Sequence, residues 1–174
     1  IRRIMHRHKN IEVILGDAVG VDLEVRAVSM DDGSLVPYDY LIVSAGARHS
    51  YFGHDEWEND TPGLKTIEDA VEIRRRVLLA FELAERQALL NNGRHEPLNF
   101  AVIGGGPTGV ELAGAIAGIA RQALAKDFKM IDTTKARVML FEGSPRILNT
   151  FAEVLSIKAK EQLEDLGIEV VLNS

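Results

Sequence analysis

The chain has no cysteine among its 174 residues. Disulfides, thiolate metal sites and a redox-active cysteine pair are therefore excluded. It also lacks an excess of basic charge: 20 Lys and Arg stand against 26 Asp and Glu, for a net charge of -6 and a pI near 5.4. A nucleic-acid binder needs a basic surface to meet phosphates, so no nucleic-acid partner is expected. No run reaches the ~18 apolar residues of a membrane span, and no signal peptide opens the chain, so the expected location is cytoplasmic. Aromatic residues make up 6%, and the one tryptophan, Trp57, is expected to be packed and not functional. What remains, 46% hydrophobic and 26% charged, is the composition of a globular protein of one domain or parts of two.

Phe100 to Ala115 organises the rest. Four apolar or β-favouring residues, Phe100 to Ile103, run into Gly104-x-Gly106-x-x-Gly109, which opens into a helix-forming run. This is the strand, tight turn and helix of a dinucleotide-binding fingerprint. Gly104 allows the turn off the strand, Gly106 lets backbone approach a pyrophosphate, and Gly109 lets helix and strand pack closely. Pro107 gives up an N–H that the first turn leaves unpaired, and it pre-sets φ for the helix. A P-loop would end in Gly-Lys-Ser/Thr; Gly109-Val110-Glu111 stands there instead, which argues against a nucleoside triphosphatase.

Around this motif the periodicities give the order of elements. Residues 1–9 are basic and read as the end of a helix stopped at Asn10, with His6 and His8 on different faces and solvated. Val13–Leu15, Ala18–Leu23, Val25–Val28 and Leu35–Tyr38 read as a small antiparallel meander, with Asp31-Asp32-Gly33 as a hairpin signal. Asp39–Val43 reads as a buried strand of a parallel sheet, ending in the small residues Ser44-Ala45-Gly46-Ala47. Those small residues suit a tight backbone crossing or a close ligand equally. Residues 48–65 have no period and read as a loop or linker. Thr66 is expected to cap a helix to about Leu90, with Ile67, Ala70, Val71, Val77, Leu78, Phe81 and Ala84 on its apolar face. The Arg74-Arg75-Arg76 run is expected to be a solvated flank.

Beyond the glycines, a helix over Val110–Lys126, a strand over Ala136–Glu142, a helix over 152–166 with Leu155, Ala159, Leu163 and Leu166 inward, and a strand at Ile168–Leu172 complete the order. Strand, helix, strand, helix, strand is one mononucleotide-binding half of a Rossmann sheet. The fold class is α/β. Glu142 ends the second strand, where such a domain places the acid that binds the adenosine ribose hydroxyls. It lies 142 minus 104, or 38, residues after the first glycine, against the usual ~20. A long helix followed by an excursion over 127–135 accounts for the excess. An acid there repels a 2′-phosphate, so NADH is favoured over NADPH. Thr108-x-x-Glu111 matches a capping box, which alone would account for the glutamate; a carboxylate beside a pyrophosphate site is otherwise an odd choice, and both readings stand.

Tyr38–Ala47, Ser50-Tyr51-Phe52-Gly53, Val102–Gly114 and Phe141–Leu148 together resemble the type II NADH dehydrogenases, non-electrogenic NADH:quinone oxidoreductases with two dinucleotide-binding domains. The resemblance covers nearly the whole chain. It implies residues 1–48 as part of an FAD-binding domain, 49–96 as linker and amphipathic helix, and 97–174 as an NADH-binding Rossmann half. It implies Ala18 near the adenine of FAD, Ser44, Ala45 and Gly46 near the chain crossover beside that cofactor, and Glu111 where nicotinamide meets flavin. The missing cysteines fit this family and exclude its disulfide-reductase relatives. The family's first glycine motif and its membrane-contacting C-terminal helices have no counterpart here, so the chain is expected to be an internal piece that binds NADH at most. Hydride transfer to FAD, reduction of a quinone and peripheral membrane attachment are expected of the parent. A non-turnover NADH-binding module, similar to apoptosis-inducing factor, is the alternative. A homo-oligomer through an open sheet edge at Ile168–Leu172 is also expected.

Overall fold

A computed structural model describes residues 1–46, 49–51 and 53–174. Ala47 and Phe52, both within the segments that carry the family resemblance, and Arg48, at the expected boundary, lie outside the described residues. The chain divides into two units, Ile1–Ala47 and Arg48–Ser174.

In the first unit the basic start forms one short turn of helix, α1 (Arg2–Met5), which ends at His6 and not at Asn10. Three strands follow, β1 (Ala18–Asp22), β2 (Ala27–Met30) and β3 (Leu35–Pro37), antiparallel in the order β1-β2-β3. The hairpin signal lies where it was read: Gly33 adopts φ +82°, and the Ser34 N–H donates to the Asp32 carboxylate at 2.9 Å. Two expected strands are absent. Val13–Leu15 forms no strand, and neither does Asp39–Val43, whose Tyr40 and Ile42 are 94% and 88% exposed. An apolar run becomes a strand only where a neighbour takes its N–H and C=O groups, and among the described residues none lies beside this one.

The second unit contains a 3₁₀ turn (Asp55–Asn59), α2 (Ile67–Leu90), β4 (Asn99–Ile103), α3 (Pro107–Gly118) with a π turn after it (Ile119–Ala123), a 3₁₀ turn (Thr133–Lys135), β5 (Arg137–Glu142), α4 (Glu153–Asp165) and β6 (Ile168–Leu172). Its sheet is parallel, in the order β4-β5-β6, with Val102 opposite Leu140 and Leu140 opposite Val170. Phe81, Ala113, Ala117, Val138, Leu140 and Ile168 form its buried centre. Helix α2 contributes Val77, Phe81, Ala84 and Ala88 to this core.

Thr66 starts α2 as read, in a reciprocal capping box: Asp69 N–H donates to Thr66 Oγ1 at 3.1 Å and Thr66 N–H to Asp69 Oδ2 at 2.8 Å. The apolar face is shorter than expected, because Ile67, Ala70 and Val71 are exposed and the helix packs on the core only from Ile73 onward. In α4, Leu163 is inward but Leu155 is 51% exposed and Leu166 is 42% exposed; the buried residue of the first turns is Ser156, held there by hydrogen bonds. Trp57 is likewise unpacked, 45% exposed and stacked on His54 with ring centres 4.3 Å apart. The arginine run is a salt-bridged flank: Arg75 and Arg76 both clasp Glu72, whose carboxyl is held down to about 2, chiefly by hydrogen bonds from Arg75 and then Arg76.

Candidate dinucleotide site

Strand β4 delivers the chain into Gly104, whose φ of +101° only glycine adopts freely, and the Gly104 N–H still closes the ladder on Phe141 O at 2.8 Å. Gly109 meets the second demand. A Cβ on it would land on the Gly104 carbonyl oxygen, so helix and turn touch backbone to backbone. At Gly106 an added Cβ would find nothing within 4 Å, so the backbone lies open on the side where a pyrophosphate must approach.

Gly106 is the N-cap of α3 and Pro107 its first residue, with no side-chain cap on the helix. The expected capping box of Thr108 and Glu111 is therefore absent. The fixed φ of Pro107 starts the helix two residues too early for Thr108 to be N-cap, and Glu111 falls in the second turn. The N–H groups of that helix end, with the positive end of its dipole, remain for an anion. Glu111 is exposed and makes no hydrogen bond or ion pair among the described residues. Spaced three and four residues from Thr108 and Pro107, it shares their helix face, ~6 Å along the axis from the N-terminal opening.

Glu142 reaches back into the turn. Its Oε2 accepts the Gly105 N–H at 2.6 Å and its Oε1 the Ser144 N–H at 2.7 Å. Burial pushes this carboxyl up, but the hydrogen bonds from Ser144 and Gly105 outweigh it and leave it below its ordinary value. The acid is thus held ionised at the end of β5, against the second residue of the glycine turn. The 38-residue spacing is explained as expected: α3 and its π turn run to Ala123, and the chain makes an excursion before β5. That excursion is stapled to α2 by Glu85, which accepts N–H groups of Lys129, Met130 and Ile131 at 3.0 to 3.1 Å.

A model of the pyridine nucleotide-disulphide oxidoreductases matches residues 2–174. The chain belongs to that family. Within it, the type II NADH:quinone oxidoreductases NdhA and Ndh of Mycobacterium tuberculosis are 44% and 42% identical over 99% of this chain. An external alternative NAD(P)H-ubiquinone oxidoreductase of Arabidopsis thaliana is 33% identical over 97%. A solved structure of NDH2 from Plasmodium falciparum in complex with NADH superposes with a TM-score of 0.74 at 26% identity, over 92% of this chain and 33% of that one. The chain spans 37% of the length of NdhA. The resemblance read from the glycine turn, the Tyr51 segment and the Glu142 strand end thus holds, and so does the α/β Rossmann-like class.

For a member of this family the second unit assembles Gly104, Gly106, Pro107, Thr108, Gly109 and Glu142 at one end of the parallel sheet, with Glu111 on the helix that leaves it. Ala18 and Ser44–Gly46 belong to the first unit. Ala18 opens β1 opposite Met30, and Ser44, Ala45 and Gly46 form an exposed stretch without regular structure, Gly46 at φ +76°. A cavity of about 410 Å³ in that unit, lined by Arg2, Met5, His6 and Ile11–Ile14, includes none of them.

Sequence reading gave roles to three glycines of the turn and passed over Gly105. Yet Gly105 is buried, its N–H is on Glu142, and its carbonyl accepts the Leu148 N–H at 2.7 Å. A Cβ there would meet Ile147 Cγ2 at 2.7 Å and Glu142 Oε2 at 2.9 Å. The unbroken Gly104-Gly105-Gly106 triplet was the available signal.

Proposed function

We propose that this chain is the NADH-binding part of an FAD-dependent NADH:quinone oxidoreductase, in which hydride passes from NADH to FAD and electrons pass on to a quinone. The observation that carries the reading is the turn itself: an open backbone at Gly106, an uncapped helix start, and an ionised Glu142 locked against Gly105. These residues fit NADH. The helix end and Gly106 would receive the pyrophosphate, Thr108 and Pro107 flank it, and Glu142 would accept the ribose hydroxyls through its remaining lone pairs while repelling a 2′-phosphate. Glu111 has no capping duty and, among the described residues, no partner, which supports its role beside the nicotinamide.

Ala18, Ser44, Ala45 and Gly46, expected beside FAD, are exposed in the first unit. On this reading they would meet FAD only together with the FAD-binding glycine motif of the family, which has no counterpart among residues 1–174. C-terminal helices of the family, also without counterpart here, would carry the contact with the membrane that dissolves the quinone, as a peripheral protein on its cytoplasmic face. No helix among the described residues is long and apolar enough to cross a membrane.

The test is the full-length enzyme carrying this segment. It should be yellow, oxidise NADH with a water-soluble quinone, and bind NADPH more weakly than NADH. Substitution Glu111→Gln should lower kcat more than it raises the KM for NADH, as expected for a group felt at the reacting end. A stable reduced complex without quinone turnover would instead identify a binding module, and NADPH binding as tight as NADH would remove the role given to Glu142.

A further inference from the structure

Glu142 and Gly105 are two members of a closed ring of hydrogen bonds that continues through the loop between β5 and α4. From Glu142 it passes to the Ser144 N–H at 2.7 Å, and from Ser144 Oγ to Asn149 Nδ2 at 3.1 Å. The Asn149 carbonyl accepts Arg146 Nη2 at 2.7 Å, and Arg146 Nη1 donates to Ser156 Oγ at 2.8 Å and Phe151 O at 2.9 Å. Ser156 Oγ–H donates to Ile147 O at 2.6 Å, and the next residue, Leu148, closes on Gly105 O at 2.7 Å. Ser156 is 2% exposed, whereas its neighbour Leu155, expected inward, is exposed.

The charge in this ring is out of the ordinary. Arg146 lies four residues past the ribose acid, in the loop where a Rossmann domain that accepts NADPH places the arginine that meets the 2′-phosphate. Here the guanidinium faces two backbone carbonyls and a serine hydroxyl, and forms no ion pair among the described residues. A cation spent on neutral oxygens gains less than one on a phosphate. The relatives bear names that specify both NADH and NAD(P)H, so the preference is one that varies within this family.

We infer that Ser156 is a specificity-determining residue that acts through Arg146. By accepting the guanidinium and tying it to the Ile147 carbonyl, Ser156 keeps the loop's cation turned inward and withholds it from the ribose end of the nucleotide site. NADPH is then refused twice, by the carboxylate of Glu142 and by the missing cation. Ser156 is a positioning residue, touching no nucleotide. The inference rests on the NADH-binding reading of the site.

The test uses the full-length flavoenzyme, with dissociation constants for NADH and NADPH from titration calorimetry beside kcat and KM. In Ser156→Ala the guanidinium loses its buried acceptor, and NADPH should tighten relative to NADH by roughly tenfold, the worth of one charge-assisted contact. The gain should shrink with added salt. kcat with NADH should stay within about twofold, because nothing at the reacting end has moved. Adding Arg146→Met to Ser156→Ala should abolish the gain, which a merely loosened loop would retain. An unchanged NADPH to NADH ratio in folded Ser156→Ala, or a gain that survives in the double variant, overturns the inference. If Ser156→Ala does not fold, Arg146→Met alone decides: it should change both affinities by the same factor, and a selective loss of NADPH would show that the guanidinium already reaches the site. Should the unaltered enzyme bind neither nucleotide, the proposed function falls first and takes this inference with it.

Discussion

Gly109 and Gly114 lie five residues apart on α3, and the structure gives them opposite roles. At Gly109 a Cβ would strike the Gly104 carbonyl oxygen, a backbone atom that moves only if the whole turn moves. Overpacking of this kind costs ~1–3 kcal/mol even where side chains can give. Gly109→Ala should therefore lower the melting temperature and weaken NADH together. At Gly114 nothing lies within 4 Å of the added atom, and the residue is helical. Gly114→Ala should raise stability by ~0.5–1 kcal/mol through the entropy of the unfolded chain, leaving NADH affinity unchanged. Thermal melts of both variants check the pair; a stabilised Gly109→Ala would refute the packing role of that glycine. Glu142 permits a second test at this scale. Its carboxyl sits below the ordinary value of 4.5 despite burial, which pushes it up, because the Ser144 and Gly105 hydrogen bonds favour the anion. The stabilisation is then fully present above the unfolded-state pKa and is lost as pH falls through the lower folded value. Amide proton shifts of Gly105 and Ser144 should follow one titration with a shared midpoint below 4.5. Movement of either near pH 6 would mean that the carboxylate is not where the structure has it.

Among the elements, Glu85 on α2 accepts three successive N–H groups, Lys129, Met130 and Ile131, and so fixes the excursion that lengthens the path from the glycine turn to Glu142. Burial raises its carboxyl, but those bonds and the Lys129 charge leave it lowered overall. Hydrogen exchange at residues 129–131 should accelerate in Glu85→Ala, with β5 amides protected as before; equal protection would show that the excursion holds itself. Such a contact joins residues 44 to 46 apart, and no local pattern announces it. What the sequence made legible is what neighbours in the chain decide. The start of α2 follows from Thr66 and Asp69, the hairpin from Gly33, and β6 from Gly167 and the run after it. Facing was less legible, because the 3.6 period marks Ile67 and Val71 as apolar without saying whether anything covers them. At α3 two local signals competed: Pro107 as first helical residue and Thr108 as cap cannot both hold, and the proline's rigid φ decided it. The glycine turn and Glu142 were readable because chemistry fixes their spacing, whereas the Arg146–Ser156 ring joins residues whose types fit many uses.

At the scale of the whole molecule, the parallel sheet has two rims. Among the described residues β4 and β6 each pair with β5 alone, and Ile103 at the end of β4 is 71% exposed. The first unit exposes Leu15, Tyr40, Ile42 and Val43 as well. Unpaired strand edges and uncovered apolar side chains are surfaces that another chain can satisfy. Residues 1–174 taken alone should therefore self-associate, with a light-scattering mass that rises with concentration. The sequence pointed to the β6 edge, at Ile168–Leu172, but β4 offers as long a row of backbone groups and a more exposed apolar side chain. A charge on the pairing edge should return the chain to a monomer, so Val171→Lys and Ile103→Lys assign the edge by which of them succeeds. If neither lowers the mass, association runs through the apolar surface of the first unit, and strong binding of an apolar dye, reduced by Tyr40→Ser and Ile42→Ser, should accompany it. A mass that stays monomeric at every concentration would refute the open-edge reading, with the twist of so small a sheet protecting both rims and Glu169, paired with Arg137 of β5 at 2.7 Å, adding a charge at the β6 rim.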